Sequence, residues 1–391
     1  MKKNILLQAP VFSVSGYGAH SKDIALSLLR DNRFNVGIIP TGWGANSITG
    51  KLDKSDENQL IFGCNNIINN ERIWVQVGIP NEFERKGYFN IGITAGLEST
   101  HISQLWIDGC NRMDLIVVPT FFTKEAFERC GVTKKVEVVP EGVDASIWNV
   151  LQSEDASFAF LKEKFNFLCI GQWPNFPMGK DRKQISLLVT TFMKYFEGRE
   201  DVSLTLKTYI NNLSSADRFF TAEKIKTLKK GIKYPEIHLI HGELSNDELS
   251  TLYKNSKVYV SMSSGEGWNR PTAEAAACGL PIIITNWSGH LDYLSEKNAS
   301  LIPFQYENVP MEQIKTGNWY ENGMKWAMVN TERFGEEMLN IKKDYLFYKN
   351  RAVLFSSQFL EKYNFDTCYS VFNQLVAAVE SPKQELNIQH I

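Results

Sequence analysis

Glu266 and Glu274 stand eight positions apart in the stretch SSGEGWNRPTAEAAACGLP, residues 263–281. The residue types around them predict a strand ending near Met262, a Ser/Gly loop, and a helix with Pro271 at its start. A proline there loses no hydrogen bond, because the first helical N–H groups have no intrahelical partner. The Ala-rich helix ends at Gly279, a C-cap, and Pro281 opens the next strand. Glu266 then lies on the loop and Glu274 just inside the helix, both at the carboxyl end of a strand. A carboxylate accepts from paired sugar hydroxyls. Free N–H groups around Asn269, Arg270 and Thr272, with the positive end of the helix dipole behind them, suit a phosphate. Together they predict a phosphorylated sugar or a nucleotide-sugar as ligand. The spacing by itself is weak, since surface glutamates are mostly only solvated; the surrounding elements carry the reading.

A diphosphate ligand needs cations. A helix pattern opens at 182 with Arg182-Lys183, and Lys180 precedes it. Cations are disfavoured at that end of the dipole, which makes a bound anion the better account than a solvated terminus. Gly16-Tyr17-Gly18 lies between the first strand and helix. It is either an ordinary turn or a place where backbone approaches the donor diphosphate or the acceptor. His101 and Glu98 follow a strand end, and His20 and His290 flank glycine loops; capping or packing is the alternative for each histidine. Trp43, Trp173 and Trp268 are either stacking platforms or core.

These groups need a scaffold. Short apolar runs at 4–8, 35–39, 73–77, 90–95, 115–119 and 136–139 alternate with helical patterns, and the alternation restarts at 166–170, 203–209, 237–240, 257–262 and 281–285. That is the α/β class with parallel sheets. A polar, aperiodic stretch around 145–160 predicts the domain boundary. Two domains also follow from 391 residues, since single cores stop growing at roughly 250–300. The expected division is 1–150 and 155–362, with a cleft between the carboxyl ends of two sheets, where open α/β sheets bind ligands.

Composition narrows the classes. Hydrophobic residues are 43% of the chain and the net charge is −2, which exclude a disordered chain and a binder driven by net basic charge. Six scattered cysteines form no CxxC pair, so reduced thiols and a cytoplasmic location are expected. The apolar run at 5–7 is too short for a signal peptide and reads as a first strand. No run approaches a membrane span.

Residues 264–281 resemble the signature of retaining glycosyltransferases of family 4, which have the GT-B fold: two Rossmann-like domains facing across a cleft. LSNDELSTLYKNSKVYVS (244–261), VEVVPEGVD (136–144) and SGHLDYL (288–294) resemble the segments around that signature. The resemblance implies that Glu274 binds the nucleotide's ribose and that Glu266 lies beside the donor sugar. It implies that Lys183 binds the diphosphate, and that Gly16, Tyr17 and Gly18 form the N-domain glycine loop. It sets His101 near the donor sugar, and Trp268, Asn269 and Arg270 beside the donor. A C-terminal helix, about 363–391, is expected to cross back to the first domain.

Departures are visible. Gln172 stands where the family has Arg, and Arg182 is the candidate to replace it. Asn269-Arg270 replaces a small and an apolar residue, and Glu141 replaces His or Asn. No Asp-x-Asp occurs, in keeping with a donor site that needs no metal and no cofactor beyond the nucleotide-sugar. The acceptor is a hydroxyl of a glycan, a small molecule or modified DNA. The last rests on a likeness of 6–29 and 90–100 to glycosyltransferases of tailed phages, with KIKTLKKGIK (224–233) as the candidate basic patch. A dehydrogenase is disfavoured, because Gly-x-Gly-x-x-Ser lacks the third glycine and no acid ends the second strand. A phosphorylase would need a pyridoxal-phosphate lysine motif, which is missing. A non-catalytic sugar-binding protein is the alternative of a different class.

Overall fold

The computed structural model describes residues 2–43, 54–69, 71–96, 98–151, 157–316 and 319–380. The first sheet contains β1 (Lys3–Ala9), β2 (Phe34–Pro40), β3 (Ile73–Val77), β4 (Phe89–Ile93), β5 (Leu115–Val118) and β6 (Lys135–Val138), in the order β2-β1-β3-β4-β5-β6. The second contains β7 (Phe165–Ile170), β8 (Val202–Lys207), β9 (Glu236–Ile240), β10 (Val258–Ser261), β11 (Ile282–Thr285) and β12 (Ser300–Ile302), in the order β12-β11-β10-β7-β8-β9. Every pairing within the two sheets is parallel. Central strands are covered on both faces by helices, which is why β5 (LIVV), β10 (VYVS) and β11 (IIIT) are buried at every residue.

The strand orders decide where ligands can sit. Strand order reverses between β1 and β3 in the first sheet and between β7 and β10 in the second. Such switch points open a crevice outside the carboxyl ends of the strands. β7 leads into the segment that carries Arg182 and Lys183, and β10 leads into the loop that carries Glu266.

A third, two-stranded sheet pairs β13 (Phe304–Asn308) with β14 (Lys325–Val329) antiparallel. The chain crosses between the domains at Val143, which bridges to Asn364. The last helix, Phe365–Ala378, packs on the first domain: Tyr369, Phe372 and Val376 join the core of β1 and of the helix Gly16–Arg30. Asn373 donates to the Ser27 carbonyl (3.0 Å). The polar stretch at 153–156 and the tail from 381 lie outside the described residues.

Two loops meet face to face at the cleft. A Cβ on Gly265 would lie 2.3 Å from the Glu98 carbonyl oxygen, and one on Gly267 would lie 1.6 Å from that of Ala95. Only glycine permits this approach of the second domain's Glu266 loop to the loop after β4.

Candidate active site

Glu266 is 7% exposed. Its Oε1 accepts from Lys183 Nζ (2.5 Å) and Ser263 Oγ (2.5 Å), and its Oε2 pairs with Arg182 Nη1 (3.0 Å). Burial pushes its pKa up, but Arg182 and Lys183 outweigh that and hold it at about 2. The carboxylate is therefore ionised at any working pH. Arg182 also donates to the Gly265 carbonyl (2.9 Å) and pairs with Glu98 Oε1 (2.9 Å). Burial works against its charge, and Glu266 and Glu98 more than restore it. Glu98 Oε2 accepts from the Tyr320 hydroxyl (2.7 Å). A chain of charge-assisted contacts thus runs from Lys183 through Glu266, Arg182 and Glu98 to Tyr320, across both domains.

Lys183, Arg182, Glu98 and Tyr320, though not Glu266 itself, border a cavity of about 260 Å³, to which Tyr17 of the first domain and Gln172 and Gln313 of the second also contribute. Gln172 and Arg182 both line this cavity, so the guanidinium reaches the same space as the position where the resembling family has its Arg. The helix begins at Ile185, three residues later than its pattern suggested. Gln184, in the left-handed region (φ 54°), turns the chain into it. Arg182 and Lys183 are therefore on the loop ahead of the helix and free to face the cleft.

The other predicted residues divide. Tyr17 lines the cavity, with its hydroxyl 2.9 Å from Thr94 Oγ1 and its ring 4.4 Å from that of Trp43. Gly16 is open: a Cβ there meets nothing within 4 Å. Gly18 serves packing instead, since a Cβ would lie 1.8 Å from the Ser13 carbonyl oxygen. Trp268 is a correction. It is 2% exposed, stacked against Tyr293 (4.7 Å) and Tyr363 (5.4 Å), and offers no face to a ligand. His101 lies on the loop after β4 with its Nδ1 3.2 Å from Thr100 Oγ1, and from the same loop Glu98 reaches the cavity. Asn269 is buried in the left-handed region (φ 68°) and serves as N-cap of the helix Arg270–Ala277. His20 bonds to Tyr369 (3.1 Å) and His290 to the Thr285 carbonyl (2.7 Å); burial lowers their pKa values to about 3 and about 4. Both are neutral core residues, as is Trp173 by its burial. The 224–233 lysines are partly tied down: Lys224 donates to the Pro174 carbonyl and Lys226 pairs with Glu223.

Glu274 and Arg270 form a second cluster. Arg270 pairs with Asp23 (2.7 Å) of the first domain, with Glu274 (3.4 Å) and with Glu141 (3.7 Å) of the linker. Tyr253 donates to Glu274 Oε2 (3.0 Å). Burial pushes Glu141 and Glu274 up to about 7, against the pull of Arg270. Asp23 and Tyr253 carry no sequence signal of their own, because their role depends on a contact between domains or between distant segments.

A raised folded-state pKa means that ionising Glu141 costs stability. The cost is absent below the unfolded value near 4.5, develops as pH rises, and is complete above about 7. Glu141→Gln is therefore expected to gain stability over the wild type as pH goes from 5 to 8, on the order of 2 kcal/mol across that range. Paired urea titrations at both values check this. Opposing contributions from His20 and His290 cancel in the difference, and an advantage independent of pH would contradict the assignment.

The two facing parallel-sheet domains define the GT-B fold. Residues 221–309, which span β9 to β13, match the family model described as "Glycosyl transferases group 1". No curated protein matches the chain at a significant level. Among solved structures, sucrose-phosphate synthase from Thermosynechococcus elongatus is similar over 97% of this chain and 100% of its own, with TM-score 0.67 and 13% identity. HepE of Anabaena, in complex with UDP and glucose, is similar over 96% of this chain and 100% of its own, with TM-score 0.66 and 12% identity. The N-terminal domain of Candida albicans trehalose-6-phosphate phosphatase covers 97% and 98%, with TM-score 0.61 and 11% identity. Among the described residues no helix is long and apolar enough to cross a membrane.

Proposed function

We propose that the chain is a retaining glycosyltransferase that moves a sugar from a nucleoside-diphosphate sugar to a hydroxyl acceptor without a metal ion. The observation that carries this reading is the convergence of Lys183, Arg182 and Glu266 at the switch point of the second sheet, facing Glu98 across the cleft. Two cations on a half-buried loop suit a leaving diphosphate. HepE, of the same fold, binds UDP-glucose, which favours the same class of donor here.

In the proposed step the acceptor hydroxyl attacks the anomeric carbon from the face on which the diphosphate departs. The bond from that carbon to the diphosphate oxygen breaks, the new glycosidic bond forms, and the acceptor proton passes to a phosphate oxygen. Lys183 and Arg182 take up the growing charge on the leaving group. Glu266 stands beside the sugar, and Glu274 is assigned to the ribose, which requires it to exchange its Arg270 contact for the ligand. Six unpaired cysteines support a reducing, cytoplasmic setting.

A thermal-shift screen of nucleotide-sugars, followed by mass spectrometry of acceptors, tests the reading. A matched donor is expected to raise Tm. Transfer should persist in excess EDTA, and the product should keep the donor's anomeric configuration by NMR. Loss of transfer on chelation would remove the metal-independent part, and an inverted product would remove the front-face step.

A further inference from the structure

The segment between β13 and β14, described over residues 309–316 and 319–324, lies at the mouth of the cleft. It is a packed wall: Val309, Tyr320, Met324 and Trp326 form a small core with Trp287. It is also tied to the first domain. The Thr100 N–H donates to the Lys325 carbonyl (2.8 Å), the Lys325 N–H to Thr100 Oγ1 (3.1 Å), and the Gln104 N–H to Glu321 Oε1 (3.2 Å). From it, Gln313, Trp319 and Tyr320 line the cavity together with Tyr17, Glu98 and Gln172.

We infer that this segment is the acceptor-side wall of the cleft and that it selects a saccharide ring as acceptor; the inference rests on the glycosyltransferase reading above. Arg182 and Lys183 mark the diphosphate end of the cavity. Beyond them the lining offers one carboxylate, two carboxamides, phenols and indoles, with no further cation among the described residues. Carboxylates and carboxamides match neighbouring ring hydroxyls, and aromatic faces cover the apolar face of a sugar ring. A nucleic-acid acceptor needs cations for its phosphates, and the lining of this cavity supplies none beyond Arg182 and Lys183.

Two details give the segment an active part. Gln313 donates to the Lys180 carbonyl (2.8 Å), which fixes the loop carrying Arg182 and Lys183. Tyr320 holds one oxygen of Glu98 while the other holds Arg182. An occupant that touches Tyr320 or Glu98 is thereby coupled to the cation on the leaving group. Tyr320 and Gln313 are positioning residues in this scheme, and Trp319 is a contact residue.

The test compares wild type, Trp319→Ala and Tyr320→Phe with the nucleotide-sugar that gives the largest thermal shift. Donor hydrolysis and transfer to a panel of p-nitrophenyl hexosides are measured in parallel, with a duplex containing 5-hydroxymethylcytosine as the rival acceptor. Trp319 is 41% exposed, and Phe keeps the ring that packs near Trp326, so both variants should fold. The expected result is transfer to hexosides by the wild type, with the ratio of transfer to hydrolysis falling about tenfold in Trp319→Ala, about 1.4 kcal/mol. In Tyr320→Phe the acceptor KM should rise severalfold. Ratios and acceptor KM within twofold of wild type in both variants would overturn the inference, as would transfer to the duplex and to no hexoside. A wild type that neither hydrolyses nor transfers from any nucleotide-sugar would instead remove the glycosyltransferase reading and this inference with it.

Discussion

Lys183→Ala is expected to lower kcat for sugar transfer by roughly 10²–10³-fold, equivalent to about 3–4 kcal/mol of transition-state stabilisation. The ammonium sits 2.5 Å from Glu266 Oε1, on the loop after β7, with its stem along Gly171. In the resting protein its charge is matched by a carboxylate that is ionised down to a pH of about 2. A diphosphate gains charge as it leaves, so the contact strengthens along the reaction, and kcat and kcat/KM should fall together. Glu266 keeps Arg182 and Ser263 after the substitution, which limits collateral damage to that carboxylate. Lys183→Arg separates charge from shape. A guanidinium preserves the charge but not the point geometry of an ammonium, so partial activity is expected. Steady-state kinetics with the matched donor decide the matter, and near-full turnover by the alanine variant would sink the assignment.

Lys183 and Glu266 could be found in the sequence because their setting is local. A buried parallel strand reads as an apolar run, a loop after it reads as Ser and Gly, and a helix reads as a periodic pattern with caps. β7, β10 and β11 obey all three rules, and their loops position Lys183 and Glu266. The limits appear where a residue's role depends on distant segments. Trp268 belongs to the same loop as Glu266, yet Tyr293 and Tyr363, far along the chain, draw it into the core. β13 is exposed at four of its five residues, so its sequence FQYEN lacks the apolar signal of a buried strand, and the wall it begins went unread. The helix Lys54–Asn65 buries only Leu60 and Gly63 and leaves Ile61 and Phe62 exposed, which blurs its period in the same way. Arg270 was visible as a departure from the resembling family. Its partner Asp23 lies 247 positions away, on the other domain, and nothing local to either residue announces the pair.

That pair gives the largest expected effect on stability. Among the described residues Arg270 is the one cation paired with Asp23, Glu141 and Glu274 together. Arg270→Met fills similar space but leaves three buried carboxylates without a counter-charge. Removing one partner of a buried ion pair typically costs about 3–5 kcal/mol, because the remaining charge stays desolvated. The loss should depend on pH in a direction fixed by the carboxyls. Arg270 pulls down the pKa values of Glu141 and Glu274, which burial has already raised to about 7. Without it they rise further, so the folded variant binds protons that the unfolded chain releases. Its deficit relative to wild type is then largest above pH 7 and shrinks toward pH 5, where both carboxyls can be neutral in the fold. A purely steric defect would cost the same at both values. Urea midpoints of wild type, Arg270→Met, Asp23→Asn and the double variant, measured at pH 5 and pH 8, separate the two accounts and isolate the Arg270–Asp23 coupling. A coupling near zero at pH 8 would show that the domains are not held by this pair. A substantial one makes Arg270 the residue that fixes the Glu274 carboxylate and the closed cleft at once, so that any ligand drawing on Glu274 must compete with the contact that joins the two domains.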